Sequence, residues 1–364
     1  MAPPPRRTLY ARIGRRVPTV KLHLLFAGFG HVGRRFAALL TESQDTLAAL
    51  HIEPVIVGIA TRRHGSVFDV AGLDANKVAH GLAEGDAIGP ASVPSTLEWI
   101  ARLRSQGAEA RVLVETTPLD VRSGEPAIGH VRAAIAAGMH VITANKGPVA
   151  FAYRALAGEA AAAGVSFLFE GAVMDGIPVF NLVRETLPGV RIDGFRGVVN
   201  STTNEILTAM ERGERFDDAL ARMQKAGVAE ADPRLDVDGW DAAAKAAALA
   251  NVLLDANTTP LAVAREGIAP ALESRAQTAV RSGRRLKLVA QGRRSASGVT
   301  TAVELQELPA NDPLAIVDGQ ANALELDTWP AGRIVITQRD GGLEKTAYAL
   351  LSDLMTVASR LRRT

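Results

Sequence analysis

The chain has 364 residues, which is enough for two domains with sizeable cores. Its hydrophobic content of 47% and charged content of 22% are typical of a globular protein. Its net charge of +2 does not favour a nucleic-acid partner. No apolar run reaches the length of a membrane span. Cysteine is absent, which excludes disulfides, thiolate zinc sites and cysteine nucleophiles, and we expect a cytoplasmic protein.

Residues 1–20 differ in composition from the rest of the chain. They are rich in proline and arginine and contain no acidic residue. A transit peptide could have such a composition, but hydroxyl residues are few and helical periodicity is weak. We interpret this segment as a basic, disordered tail, with the folded protein beginning at Lys21.

Short apolar runs then alternate with segments of helical periodicity. The predicted strands are residues 22–27, 55–60, 112–114 and 140–143, and the predicted helices are residues 34–50 and 128–137. Residues 66–94 are rich in glycine and contain no clear strand. Alternation of this kind is typical of βαβ units, so residues 21–150 are predicted to form a Rossmann domain with a parallel sheet.

Residues 151–340 have a more mixed pattern. Helices are predicted at 153–163, from near Pro178 and at 241–256, and strands at 166–170, 192–199, 286–290 and 300–305. Within the final segment, 341–364, a helix is predicted at 346–361. The fold class is therefore α/β, with an N-terminal Rossmann domain followed by an α+β domain.

A glycine-rich loop follows the first predicted strand and opens the first predicted helix. It matches G-x-G-x-x-G, and its expected cofactor contacts are Gly28, Phe29, Gly30, Val32 and Gly33. In that context the loop brings backbone N–H groups and a helix N-terminus to a pyrophosphate. The alternative is an ordinary turn between a strand and a helix, but the context favours dinucleotide binding.

The tip of the second predicted strand selects between dinucleotides. A carboxylate there favours NAD, and an arginine favours the 2′-phosphate of NADP. Here the strand is followed by Thr61, Arg62 and Arg63, without an acidic residue. We expect NADP(H) to be preferred over NAD(H), the alternative being a solvated basic turn.

Candidate catalytic residues lie around the helix predicted at 241–256. Asp241 and Lys245 are four residues apart and therefore share a helix face, while Glu230 and Asp236 lie in the loop before it. A surface Asp–Lys pair is common, but a lysine on a nearly apolar helix is expected to have an ion-pair partner or a functional role. A second lysine, Lys146, follows the strand predicted at 140–143, where ligands of open α/β sheets bind.

These segments resemble monofunctional homoserine dehydrogenases in order and spacing. The resemblance rests on the glycine loop, on Thr-Ala-Asn-Lys-Gly-Pro at 143–148, on residues 170–178 and 200–204, and on Glu230 to Lys245. It implies NAD(P)H-dependent, reversible reduction of L-aspartate 4-semialdehyde to L-homoserine, in threonine and methionine biosynthesis. It also implies a dimer or tetramer built through the second domain, without a regulatory domain, and a final helix that returns to the nucleotide domain.

The resemblance further implies roles for individual residues. Lys245 is similar to the general acid of the family, Asp241 to the residue that holds substrate and lysine, and Lys146 to a second active-site lysine that also lies near the cofactor. Glu230 resembles the carboxylate that receives the substrate ammonium. Further expected contacts are Thr202 and Asp236 to the substrate, and Thr116, Thr117 and Gly342 to the cofactor.

The family also binds a monovalent cation, usually sodium. The corresponding residues here are Glu170, Val173, Asp175 and Ile177. A carboxylate with backbone carbonyls suits a hard cation, but a strand end and turn without an ion would have the same sequence.

One loop departs from the family pattern. Residues 339–345 carry charges where relatives have a glycine- and alanine-rich loop beside the cofactor. This departure keeps open a non-catalytic NADP-binding or sensing protein of the same fold. Other oxidoreductase classes fit poorly, because no tyrosine has a lysine four residues later and no cysteine is present.

Overall fold

The computed structural model describes residues 18–83, 87–89, 95–105, 110–226, 229 and 232–363. Most of the expected basic tail, and the expected substrate ligand Glu230, lie outside the described residues. The strands are β1 Val20–Ala27, β2 Ile52–Ala60, β3 Ser66–Phe68, β4 Arg111–Glu115, β5 His140–Thr143, β6 Phe167–Leu168, β7 Arg191–Val198, β8 Ala264–Arg265, β9 Arg284–Ser295, β10 Gly298–Pro309, β11 Asn322–Trp329 and β12 Gly332–Gln338. The helices are α1 His31–Glu42, α2 Gln44–Ala49, α3 Ala75–Ala83, α4 Thr96–Arg104, α5 Ala127–Ala136, α6 Lys146–Ala162, α7 Val179–Asn181, α8 Ser201–Glu211, α9 Phe216–Lys225, α10 Arg234–Val237, α11 Trp240–Leu253, α12 Glu273–Arg281 and α13 Leu343–Leu361.

The first sheet has the strand order β3-β2-β1-β4-β5-β6. All neighbours are parallel except β3, which pairs antiparallel with the end of β2. Leu24, Leu25 and Phe26 of the central strand β1 are completely buried, because helices cover both faces of a parallel sheet. The strand order reverses between β1 and β4, so the crevice for a ligand opens at their carboxyl ends.

Two predictions for this region were wrong in detail. The helix expected over 34–50 is two helices, α1 and α2, separated at Ser43. Residues 66–94 do contain a strand, β3, which is only three residues long. Its Phe68 stacks on Trp99 of α4 at a ring-centroid distance of 4.8 Å, so a tertiary contact supports an edge strand too short to produce a sequence pattern.

The second sheet has the order β12-β11-β7-β9-β10-β8 and is antiparallel except for β8. Helices α8, α11 and α12 pack against one face, where small alanines of α11 allow close approach. The opposite face is partly covered by the segment between β10 and β11, which forms a separate apolar cluster including Leu314 and Val317. The remainder of that face is a polar groove with a volume of about 620 Å³.

The two halves of the chain are interwoven. Strand β6 lies beyond residue 150 but is the last strand of the first sheet. Helix α13 packs along α1, burying Ala347, Leu350 and Leu354 in the core of the first sheet. The C-terminal helix therefore contributes to the nucleotide-binding half. No helix in the described part of the chain is long and apolar enough to cross a membrane.

Candidate active site

The glycine loop is built against the carboxyl end of β4. Gly28 has a φ of +86°, and a Cβ there would lie 2.8 Å from the carbonyl carbon of Thr116. The Thr116 hydroxyl donates to the Gly28 carbonyl oxygen at 2.9 Å. Gly33 packs against the same hydroxyl, at 3.0 Å from a hypothetical Cβ. Thr116 therefore shapes the loop itself, while the close packing at Gly33 agrees with the spacing of a dinucleotide loop.

The opposite side of this loop is open. Gly30 is exposed, and a Cβ there would meet nothing within 4 Å. It is the N-cap of α1, which has no side-chain cap and no acidic residue in its first turn. These uncapped N–H groups fit a pyrophosphate. The side chain of Phe29 is 4% exposed and packs edge-on against Phe26, so only its backbone can approach a cofactor; the side chain of Val32 packs against the same core.

The tip of β2 carries two exposed guanidinium groups. Arg62 and Arg63 lie just after Ala60, in a turn held by the Thr61 hydroxyl, which donates to the Gly65 carbonyl at 2.9 Å. Within the described ranges, neither arginine has a carboxylate partner. Both are therefore available to an anionic ligand.

Asp241 lies between two lysines. Its Oδ1 is 3.2 Å from Lys146 Nζ, and its Oδ2 is 2.9 Å from Lys245 Nζ. Lys146 is the first residue of α6, directly beyond β5, whereas Asp241 and Lys245 occupy the first two turns of α11. The cluster therefore joins the two halves of the chain at the carboxyl end of the first sheet.

A second carboxylate adjoins this cluster. Asp236 accepts a hydrogen bond from Asn200 Nδ2 at 2.7 Å, and the same Nδ2 donates to Asp241 Oδ2 at 2.9 Å. Thr202 lies close enough to Asp236 for its hydroxyl to lower the pKa of that carboxylate. The structure thus brings together the sequence-predicted residues Lys146, Thr202, Asp236, Asp241 and Lys245. Asn200 has no predicted role, and its place in the 200–204 motif is the only signal for it.

The charged forms of Asp241 and Lys245 stabilise each other. Burial opposes the charge of Asp241, but the ammonium groups of Lys146 and Lys245 outweigh it and hold the pKa of Asp241 well below its usual range. Burial also opposes the charge of Lys245, yet the carboxylates of Asp241 and Asp175 raise its pKa. For Asp236, burial and the charge of Asp241 raise the pKa. Lys245 is therefore an ammonium at neutral pH and can donate a proton.

A buried carboxylate, Glu115, anchors the base of the site. It accepts hydrogen bonds from the Thr117 backbone N–H at 2.9 Å and from the hydroxyls of Thr117 and Thr143. Asn145 links the same region to α6, since its Nδ2 donates to the Thr117 carbonyl at 2.9 Å and its Oδ1 caps the helix that begins with Lys146. Complete burial raises the pKa of Glu115 to about 7, against these hydrogen bonds. This network was not foreseen from the sequence.

The candidate cation segment uses its carboxylates within the protein. Glu170 accepts from the N–H groups of Phe180 at 2.8 Å and Asn181 at 2.7 Å. Burial, with the nearby charge of Asp353, raises the pKa of Glu170 to about 8. The side chains of Val173 and Ile177 are apolar, so only their backbone carbonyls could serve as ligands. The Glu170 side chain is thus poorly suited to a cation, and in the described part of the chain no cluster of three or more His, Cys, Asp or Glu residues is arranged to hold a metal.

The loop that departs from the family pattern is tied to both halves of the site. The Gly342 N–H donates to Asp175 Oδ2 at 2.8 Å. Glu344 pairs with Arg35 of α1, with an Nη2–Oε1 distance of 2.8 Å. A backbone N–H of this loop therefore attaches it to the candidate cation segment, and the charge of Glu344 attaches it to the helix that follows the glycine loop.

The positions of these groups define a class of protein. Strands β1, β4 and β5 are adjacent, so the glycine loop, Thr116 with Thr117, and Lys146 emerge side by side at one edge of the sheet. A dinucleotide loop beside an acid–base cluster is the arrangement of a dinucleotide-dependent oxidoreductase.

Comparisons with known proteins identify the family within that class. Residues 28–170 match the family model "Homoserine dehydrogenase, NAD binding domain", and residues 178–355 match "Homoserine dehydrogenase". The chain belongs to the homoserine dehydrogenase family and is an NAD(P)-dependent oxidoreductase.

Individual relatives agree over nearly the whole chain. An NAD(+)-dependent homoserine dehydrogenase from Pseudomonas canavaninivorans is 36% identical, over 92% of this chain and 95% of the relative. A homoserine dehydrogenase from Methanocaldococcus jannaschii is 33% identical, over 94% and 100%. The crystal structure of a putative homoserine dehydrogenase from Archaeoglobus fulgidus has a TM-score of 0.81 at 29% identity and covers 93% of this chain and 99% of that one.

Proposed function

We propose that this protein catalyses the reversible, NAD(P)H-dependent reduction of L-aspartate 4-semialdehyde to L-homoserine. The observation that carries the proposal is the Lys146–Asp241–Lys245 cluster, which lies beyond β5 beside the open glycine loop. A non-catalytic NADP sensor of the same fold would have no use for a buried, charge-compensated proton donor. Relatives named homoserine dehydrogenase over more than 90% of the chain favour the enzyme.

The chemical step needs a proton donor at the aldehyde oxygen. The bound nicotinamide supplies the hydride, which adds to the carbonyl carbon while the carbonyl π electrons move to oxygen. Lys245 Nζ gives its proton to that oxygen, and the hydroxyl of homoserine results. Asp241 keeps Lys245 charged and orients its Nζ. Lys146 is a second ammonium group, 3.2 Å from the same carboxylate, and is proposed to share the proton transfer. In the reverse direction Lys245 must first lose its own proton, against its raised pKa, before it takes the hydroxyl proton.

Substrate binding is proposed to use the carboxylates near this cluster. Glu230 is expected to receive the α-ammonium group, and Asp236 with Thr202 is expected to line the same pocket. Asp236 supports this proposal because Asn200 joins it to Asp241, and Thr202 supports it because it lies beside Asp236.

NADP(H) is the proposed preferred cofactor. Arg62 and Arg63 are exposed at the tip of β2, and no carboxylate of the described residues pairs with either. One relative is named NAD(+)-dependent, so this preference needs its own test. Thr116, Thr117 and Gly342 remain proposed cofactor neighbours, and a sodium ion at residues 170–177 would depend on backbone carbonyls.

A homodimer or larger homo-oligomer is the proposed assembly, formed through the open face of the second sheet. We also propose the expected division of the chain: nucleotide binding by 21–150, substrate binding and dimerisation by 151–340, and a return to the nucleotide domain by 341–364. Cytoplasmic location and a role in threonine and methionine biosynthesis stay predictions.

Lys245→Ala tests the proposed chemistry directly. We expect turnover with homoserine and NADP to fall by about 10²–10⁴-fold, the usual worth of general acid–base catalysis, while NADP still binds. Lys225→Ala, which removes an exposed lysine at the end of α9, is the matched control and should leave turnover unchanged. Near-normal turnover in a folded Lys245→Ala protein would move the donor to Lys146, and thermal melting must accompany the kinetics to establish folding.

A further inference from the structure

Asn200 lies where the two site carboxylates approach each other. Its Nδ2 donates to Asp236 of α10 at 2.7 Å and to Asp241 of α11 at 2.9 Å. The residue is 5% exposed. One buried amide therefore bridges two acidic side chains from different elements.

Helix α8 fixes the orientation of this amide. Asn200 is the N-cap of α8, and its Oδ1 accepts from Thr203 N at 2.8 Å and from Thr203 Oγ1 at 3.0 Å. A flipped amide would place its oxygen against two carboxylates and its N–H groups against the backbone N–H of Thr203. Both donors of Nδ2 must therefore point to the carboxylates.

The two carboxylates disfavour each other's charge. Burial and the charge of Asp241 raise the pKa of Asp236, and the hydrogen bonds from Asn200 and Thr202 act in the opposite direction. Among the described residues, the charged groups that face the pair are Lys245 on α11, Lys146 on α6 and, through Lys245, Asp175 of the 170–177 segment. Of these hydrogen-bonding and charged groups, only Asn200 is seen to donate to both carboxylates at once.

We propose that Asn200 is a positioning residue for the reaction, whose amide keeps Asp236 and Asp241 ionised and oriented together. Asp241 can then hold the ammonium groups of Lys146 and Lys245 in place. Asn200 acts through Asp241 rather than by contact with the reacting atoms. This inference rests on the roles proposed above for Asp241 and Lys245.

Asn200→Ser separates this bridge from the helix cap. Serine is about as good an N-cap as asparagine, so α8 keeps its start, but one hydroxyl hydrogen cannot donate to two carboxylates. We expect kcat/KM for homoserine to fall about 10- to 100-fold, as for a lost hydrogen bond to a charged group. The acid limb of its pH profile should move to higher pH, because loss of the donor favours protonated Asp236. The dissociation constant for NADPH should not change.

Asn204→Ser is the matched control on the same helix. Asn204 is also buried, but its amide donates to the backbone carbonyls of Val317, Gly319 and Ala321 instead of carboxylates. This change should lower the melting temperature without moving the acid limb. Asn200→Asp keeps the cap and the shape but adds a third carboxylate, so its loss of kcat/KM should exceed that of the serine variant.

Two results would overturn the inference. One is an acid limb in Asn200→Ser that coincides with that of the wild type, and the other is an equal shift in Asn200→Ser and Asn204→Ser. If Asn200→Ser does not fold, Asn200→Asp carries the same comparison, since aspartate caps equally well. Failure of the proposed function is distinguishable, because the wild type itself would then show no turnover with homoserine and NADP.

Discussion

At the residue scale, the charge states of Asp241 and Lys245 depend on each other. Each is taken largely out of water, with side-chain exposures of 15% and 14%, and each would favour its neutral form alone. Removing one partner of such a pair leaves an uncompensated charge, so the pair is required as a unit. This contact therefore keeps Lys245 in the charged form that the proposed proton transfer needs.

Arg62 and Arg63 offer a test of cofactor selection at the same scale. We expect Arg62→Ala/Arg63→Ala to weaken NADP binding by tenfold or more, since a charge-assisted hydrogen bond is worth about 1.5–3 kcal/mol. NAD, which lacks the 2′-phosphate, should be affected little. Isothermal titration with both cofactors measures the difference, and Arg281→Ala, an exposed arginine on α12, is the control. Equal losses for the two cofactors would show that these arginines do not contact the 2′-phosphate.

At the element scale, Glu115 joins the ends of β4 and β5 to the start of α6. Its carboxylate accepts hydrogen bonds from Thr117 and Thr143. Asn145 donates to the Thr117 carbonyl and caps α6, so it connects this network to Lys146. The strand ends therefore fix where α6, and with it Lys146, begins. A buried acid at this junction also makes stability depend on pH.

The direction of that dependence follows from the raised pKa of Glu115. The folded protein holds the proton up to a pKa of about 7, whereas the unfolded chain releases it near the usual value of 4.5. The stability contributed by this group is thus fully present below about pH 4.5 and is lost as pH rises toward about 7. A shift of this size corresponds to about 3 kcal/mol.

Glu115→Gln should remove this contribution to the pH dependence. The side-chain oxygen of the glutamine can accept from Thr117, and its side-chain N–H can donate to the Thr143 hydroxyl. That hydroxyl can in turn donate to the backbone carbonyl oxygen of residue 115, which lies 3.1 Å away. Denaturant unfolding between pH 5 and pH 8 should show a smaller fall in the variant than in the wild type. The same fall in both proteins would mean that Glu115 is ionised throughout this range.

At the scale of the whole molecule, the second sheet leaves one face open. Arg196, Glu325 and Asp312 form an ion-pair network on this face, and Val335 follows on the edge strand β12, opposite Glu325. The other face packs against helices α8, α11 and α12. A polar groove with paired charges and an exposed apolar edge suits a self-complementary contact between two copies.

We therefore expect light scattering at micromolar concentration to give a dimer or larger assembly. Val335→Arg should shift it toward the monomer, because the new charge would be buried without a partner. Val280→Arg on α12 is the matched control, since both valines are 41% exposed in the single chain and Val280 lies away from this face. A monomeric wild type, or equal effects of both changes, would contradict an interface at this face.

Local features of this protein were accessible from the sequence. The glycine loop, the strand at 140–143 and the Asp241–Lys245 spacing are properties of short segments, and the structure has them where they were expected. Hydrophobic periodicity and the i,i+4 geometry of a helix act between near neighbours, so a pattern of a few residues is enough to reveal them. The family resemblance indicated the reaction more specifically than these patterns did alone.

Only the tertiary structure decided how these segments meet. The amide of Asn200 reaches Asp241 across 41 positions of the chain, and Thr143 reaches Glu115 across 28. Strand β11 likewise pairs with the distant strand β7, and Phe68 of the short strand β3 stacks on Trp99 of α4. Such contacts are stabilised by burial and by hydrogen bonds that exist only once distant elements pack, and they leave no periodic trace in the chain. The sequence by itself therefore determined the chemical groups of the site, and the packing of the two sheets determined their positions and their charges.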